Sequence, residues 1–127
     1  MTTPQVAIRS VPITAESEID EAAVLRQMVD IIVREADPLA IVLFGSRARG
    51  EARPDSDVDL LIIEREPFGP GRGRMQEAAR LYRALRDMPV SKDLLIYTQD
   101  EFRRWKDALN HVVAHAVREG RLLYGQP

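Results

Sequence analysis

The stretch "LAIVLFGSRARGEARPDSDVDLLII", Leu39 to Ile63, holds two continuous apolar runs on either side of a polar loop. The first, Leu39 to Phe44, is stopped by Gly45; the second, Val58 to Ile63, follows a loop that carries Pro54. Short apolar runs without polar alternation, bounded by turn residues, predict strands buried on both faces. The loop between them has room for at most one helical turn. Its acids are oddly placed, because Asp55, Asp57 and Asp59 crowd the mouth of the second strand. Like charges repel, and partial burial raises the cost of ionising them. Such a cluster calls for a positive partner.

Working outward, "TAESEIDEAA" predicts the start of a helix, with Ser17 and Asp20 in capping-box register and acids crowding the first turn. Val24, Met28, Ile31 and Ile32 give that helix an apolar face, and Asp37-Pro38 ends it. Residues 1–14 show no sustained periodicity and read as a flexible lead-in or edge strand ahead of one domain, 15–127. Downstream, "EREPFGPGRGR" reads as a flexible loop, Met75 to Met88 as a helix and Asp93 to Thr98 as a third strand. A helix is then expected from Gln99 to Arg118, stopped at Glu119-Gly120, with "LLY" as a last edge strand. Strands alternating with helices define an α/β class.

Composition sets outer limits. The chain has 127 residues, 18 basic and 20 acidic side chains and no cysteine. A formal charge of −2 gives no overall electrostatic case for binding nucleic acid. Disulfides and thiolate metal sites are excluded. No apolar run approaches the roughly 20 residues that span a bilayer, and no signal-like segment opens the chain, so cytoplasmic residence is expected.

The acids carry the chemistry. Along a strand side chains alternate, so Asp57 and Asp59 share a face while Val58 points to the other, with α-carbons about 6.6 Å apart. Carboxylates so placed suit hard cations such as Mg²⁺, held by one or two carboxylates together with substrate phosphates. Two such ions can stabilise the attacking and leaving oxygens of a phosphoryl transfer. Asp93 opens the third strand; if the second and third strands are neighbours, it joins the pair, as a metal ligand or a proton acceptor. Upstream, Gly45-Ser46 offers backbone N–H groups and a hydroxyl to phosphate oxygens. Arg47 and Arg49 either neutralise a polyphosphate or hold the loop in shape. Taken singly these features are common on surfaces, and the P-loop pattern is absent. Their combination in this order is what points to a nucleoside triphosphate site.

The run Gly45-Ser46-Arg47-Ala48-Arg49-Gly50, followed by Ser56-Asp57-Val58-Asp59-Leu60, resembles the nucleotidyltransferase superfamily related to DNA polymerase beta, and within it the minimal nucleotidyltransferases of bacteria. Asp93 in "SKDLLIYT" matches the third acid of that pattern, and the likeness covers roughly Ala23 to Tyr124. The resemblance implies a polymerase beta-like palm, a small mixed sheet with helices packed mainly on one face. It implies transfer of a nucleoside monophosphate from ATP or another triphosphate to a hydroxyl. Asp57, Asp59 and Asp93 would be the catalytic acids and hold two Mg²⁺; Gly45 and Ser46, with Arg47 and Arg49, would bind the nucleotide. Larger relatives add an acceptor domain, so a partner or a second copy could complete the site here. Minimal members are frequently paired with a HEPN-family toxin, which the resemblance implies as partner and acceptor in an antitoxin system. A non-catalytic antitoxin acting by contact stays open as the alternative, and transfer to an aminoglycoside-like small molecule is the weaker third.

Three other features carry weaker signals. His111, His115 and Glu119 lie four apart and could present one zinc-binding face, yet no H-E-x-x-H motif is present and a solvated stripe is the plainer reading. "GPGRGR" reads as a loop whose Arg72 and Arg74 could reach a nucleotide or an acidic partner. Phe102 and Trp105 read as core anchors.

Overall fold

The computed structural model describes residues 16–127, with side chains from Glu21 onward. The expected lead-in therefore lies outside the described residues, and the side chains of the expected Ser17–Asp20 cap outside the described side chains. Eight elements follow in order: α1 (Glu16–Ala36), β1 (Ala40–Phe44), β2 (Val58–Glu64), α2 (Arg74–Ala84), β3 (Lys92–Thr98), α3 (Gln99–Trp105), α4 (Val112–Glu119) and β4 (Arg121–Gly125). Asp37, at φ 46°, turns the chain out of α1 ahead of Pro38.

The four strands form one mixed sheet in the order β3-β2-β1-β4. β1 and β2 pair antiparallel, with Phe44 opposite Asp59, and β2 and β3 pair parallel through the α2 crossover. β4 completes the sheet antiparallel to β1, as the "LLY" reading expected of an edge strand. Both apolar runs are buried strands: Leu60 to Ile63 and Ala40 and Ile41 are wholly inaccessible.

Strand alternation sorts the core into two layers. Ile41, Leu43, Leu60, Ile62, Leu94 and Ile96 meet Leu25, Met28 and Ile32 of α1 and Leu81 and Leu85 of α2. Ala40, Val42, Leu61 and Ile63 meet Phe102, Val113 and Ala116 from α3 and α4. The long helices thus share one face, as expected, while two short ones cover the other. Among the described residues no helix is long and apolar enough to cross a membrane.

The last helix departs from the expected continuous span. It breaks between Trp105 and Val112, and His111 caps α4 by accepting the Val113 N–H at its Nδ1, 3.1 Å away. The His111 ring stacks on Trp105 at 4.4 Å with an interplanar angle of 8°. In an unbroken helix two residues six apart lie about 9 Å apart along the axis, so that stack requires the break. The "GPGRGR" loop is also tied down. Arg72 bonds to the Glu64 carboxylate and to the carbonyls of Glu66 and Pro67, and its guanidinium lies 5.0 Å over the Phe68 ring. Arg74 forks onto Glu101 and donates to the Ile96 carbonyl. Both arginines are committed inside the fold, and neither pairs with a group at the acidic strand mouth.

Candidate active site

The acidic cluster stands at the N-terminal end of β2 and β3, on the layer covered by α3 and α4. Alternation places Asp57 and Asp59 on the same side as Leu61 and Ile63, which pack in that layer. Asp93 lies directly beside Asp59 in the parallel register, so the adjacency that the sequence argument required is present. Asp57 and Asp93 are exposed and Asp59 is half-buried. The Asp59 carboxyl is pushed above the usual carboxylate range, first by burial and then by the negative charges of Asp93 and Asp57; Arg49 and Arg47 oppose the rise without cancelling it. Asp55 remains an exposed loop residue.

Gly45 makes this arrangement possible. It holds φ +77°, a region costly for residues with a side chain. A Cβ there would stand 3.1 Å from Cγ of Asp59 and closer still to its Oδ2. The strand-end glycine and the central acid therefore occupy one another's space, and only the missing side chain lets the carboxylate sit where it does. After Gly45 the chain makes a single turn: Ala48 and Arg49 N–H donate to the Gly45 carbonyl, Gly50 to Arg47 and Glu51 to Ser46. The bonds within this turn are donated from Ala48 onward, and Ser46 opens it half-exposed.

The arginines of the loop shape it. Arg47, with a side chain only 6% exposed, donates to the Ser56 carbonyl at 2.6 Å and pairs with Glu21 of α1 at 2.9 Å. Arg49 bonds to Glu51 and, across the fold, to Glu119. Of the two roles open to these residues in the sequence, the contacts are those of the second, holding the loop. Arg121 adds a third tie by donating to the Ala48 carbonyl at 3.0 Å. No local pattern ties Glu21, Glu119 or Arg121 to the loop, since each reaches it only through tertiary contact.

Tyr82 was equally silent in the sequence. Projecting from α2 at the outer edge of β3, its hydroxyl accepts the Leu94 N–H at 2.9 Å and lies 3.5 Å from Oδ1 of Asp93. The zinc reading of the last helix finds no support: His111 caps and stacks, His115 lies against Arg118, and Glu119 is engaged by Arg49. A cavity of about 560 Å³ is lined by Val24, Leu25, Arg47, Pro54, Val58 and Val90, among others. Val58 faces the α1 layer, so that cavity lies on the other side of β2 from the acids.

The donor set fits a divalent cation in kind, being carboxylate oxygen throughout with surplus negative charge around Asp59. It is not drawn together into a cage. Among the described residues no three His, Cys, Asp or Glu side chains are grouped closely enough to hold an ion.

A glycine-serine turn, paired strand acids and a third acid on the adjacent parallel strand make a candidate site for nucleotidyl chemistry. Residues 25–117 match the nucleotidyltransferase domain family, and the chain belongs to it. The protein is a nucleotidyltransferase by class. It is 33% identical over 87 residues to the "Probable protein adenylyltransferase MntA" of Haemophilus influenzae, covering 66% of this chain and 70% of that one. A solved structure assigned as a minimal nucleotidyltransferase superposes with a TM-score of 0.54 at 28% identity, over 82% of this chain and 92% of that one. A toxin–antitoxin structure with AMP-PNP shares the fold at 23% identity and a TM-score of 0.50, over 79% of this chain and 73% of that chain.

Proposed function

We propose that this protein transfers AMP from ATP to a hydroxyl on a cognate HEPN-type toxin and so acts as its antitoxin in the cytoplasm, where ATP is at hand. The observation that carries the reading is the side-by-side placement of Asp59 and Asp93 with Asp57 two residues away, against a glycine that leaves room for the central carboxylate. Similarity to a protein named as a protein adenylyltransferase supports protein as the acceptor. The fold it shares with a toxin–antitoxin chain that was solved with AMP-PNP is consistent with the partner and the donor.

In this reading Asp57, Asp59 and Asp93 would hold Mg²⁺, which would supply positive charge to balance a triphosphate. Gly45 and Ser46 at the start of the turn face the β- and γ-phosphates, while Arg47 and Arg49 keep that turn in shape. Asp93, on the edge strand and open to solvent, accepts the proton of the incoming hydroxyl. Catalysis then rests on positioning and on charge stabilisation, as is general for phosphoryl transfer. The alternative reading is neutralisation of the partner by contact alone, without transfer.

Co-expression with the partner separates the two. The wild-type chain is expected to raise the partner's intact mass by whole nucleotidyl units in the presence of ATP. The double variant Asp57→Asn, Asp59→Asn is expected to bind the partner and leave its mass unchanged, with neutralisation lost. Full neutralisation by that variant would favour contact over chemistry.

A further inference from the structure

Among the described residues, the one side-chain hydroxyl hydrogen-bonded to any of the three acids is that of Tyr82, and the reaction as derived so far does not use it. Tyr82 itself is 37% exposed at the sheet edge. Its two polar contacts act in the same sense. The Asp93 carboxylate, 3.5 Å away, is placed to take the phenolic proton. The Leu94 N–H, 2.9 Å away, donates to the phenolic oxygen and would stabilise the charge that deprotonation leaves there. A nucleophilic hydroxyl with a base within reach is the arrangement an acceptor needs, and such contacts are commonly loose before substrate binds. Tyr97, which shares the Asp93 face, lies four residues further along the strand, about 13 Å away, under the Arg74 guanidinium.

We propose that Tyr82 is an acceptor in its own right, a site at which the chain nucleotidylates itself. The proposal rests on the nucleotidyl-transfer reading above. The Tyr82 oxygen forms a bond to the α-phosphorus of a nucleoside triphosphate, and the bond from that phosphorus to the oxygen bridging the β-phosphate breaks. Pyrophosphate leaves with that electron pair, and the phenolic proton passes to Asp93. The product is an aryl phosphodiester with one negative charge, standing beside Asp93 where an outside hydroxyl has to enter. A copy modified in this way is closed to other acceptors, so self-modification and partner modification compete.

The test uses the full chain, alone and in complex with its partner, incubated with ATP and Mg²⁺. Intact-mass measurement is expected to show one added nucleotidyl group on the chain alone, mapped to the Tyr82 peptide and reduced when the partner is present. Tyr82→Phe keeps the ring and removes the adduct, whereas Tyr97→Phe retains it. The protein as purified from cells is measured in the same way, so that modification in vivo is read independently of the assay. An unmodified chain in a preparation that does modify its partner overturns the proposal and leaves the function standing. Failure of both modifications overturns both. An adduct that persists in Tyr82→Phe, or maps elsewhere, also overturns it, and shows Tyr82 to be only a cap on the edge of β3.

Discussion

Gly45→Ala and Gly50→Ala make a matched pair, because both glycines hold left-handed backbone, at φ +77° and +76°. An alanine in that region costs roughly 1–2 kcal/mol. Both variants should lose about that much stability in urea titrations. Their surroundings differ: a Cβ at Gly50 meets nothing within 4 Å, whereas one at Gly45 stands 3.1 Å from Cγ of Asp59 and nearer to its carboxylate oxygen. The far end of a side chain gives way easily, so relief of that clash adds little to the stability loss. It does move the Asp59 carboxylate by about 1 Å, and a displacement of that size at a reacting centre can cost on the order of 100-fold in rate. Nucleotidylation of the partner, read by mass at matched protein concentration, should therefore fall steeply in Gly45→Ala and stay near wild type in Gly50→Ala. Equal activity in the two variants, with equal stability, would refute the argument that Gly45 is retained for the carboxylate.

Asp59→Asn should show function opposed to stability. A carboxyl whose folded pKa is raised contributes stability at low pH that is lost as the pH climbs through that value, so the ionised Asp59 strains the fold at neutral pH. The variant should melt at a higher temperature than wild type in the absence of divalent ions, and should be inactive. Glu64 makes a stronger case at the other end of β2. It is 2% exposed, and burial, reinforced by Glu77, pushes its carboxyl up to about 8. Burial also pushes Glu77 upward, but its bonds to Glu64 and Arg80 outweigh this and leave it lowered. A protonated Glu64 can donate to Glu77 from Oε2, which has no other partner. Between the ordinary glutamate value and about 8 the folded state holds one more proton than the unfolded one, so stability should fall with rising pH by about 1.4 kcal/mol per unit from this group. Glu64→Gln should flatten that slope in urea titrations at successive pH values, and an unchanged slope would dismiss the assignment. Thr98→Ala removes the cap oxygen that accepts the Glu101 N–H at 3.2 Å, and should cost about 1 kcal/mol with little effect on transfer.

Local pattern carried most of the fold. The two apolar runs announced β1 and β2 because a strand buried on both faces has nothing polar to show, and Asp57 and Asp59 fell on one side by simple alternation. The adjacency of Asp93 was a conditional argument, true only because the α2 crossover lays β3 parallel to β2 in register. Other parts of the site depend on distance in space alone. The hydroxyl of Tyr82 meets Asp93 through a helix packed at the sheet edge, and Arg121 reaches the Ala48 carbonyl from the far end of the chain. The break after Trp105 went unseen because periodicity continues across it, while a ring stack decided the geometry. Arg72 reads in the sequence as a loop residue able to reach a nucleotide or an acidic partner, whereas its partner is Glu64 of its own chain, which extends β2 by one residue and is buried.

β2 carries its two charged features at opposite ends of an otherwise apolar strand, Asp57 and Asp59 at the start and the Glu64–Arg72 pair at the finish. Seven residues of strand put roughly 20 Å between them. The loop that Arg72 holds is thus the natural handle of the molecule. A fluorophore or surface linkage at exposed Glu66 or Pro70 would leave the strand mouth free, so the proposed binding of nucleotide and partner there could be followed on a labelled or immobilised protein.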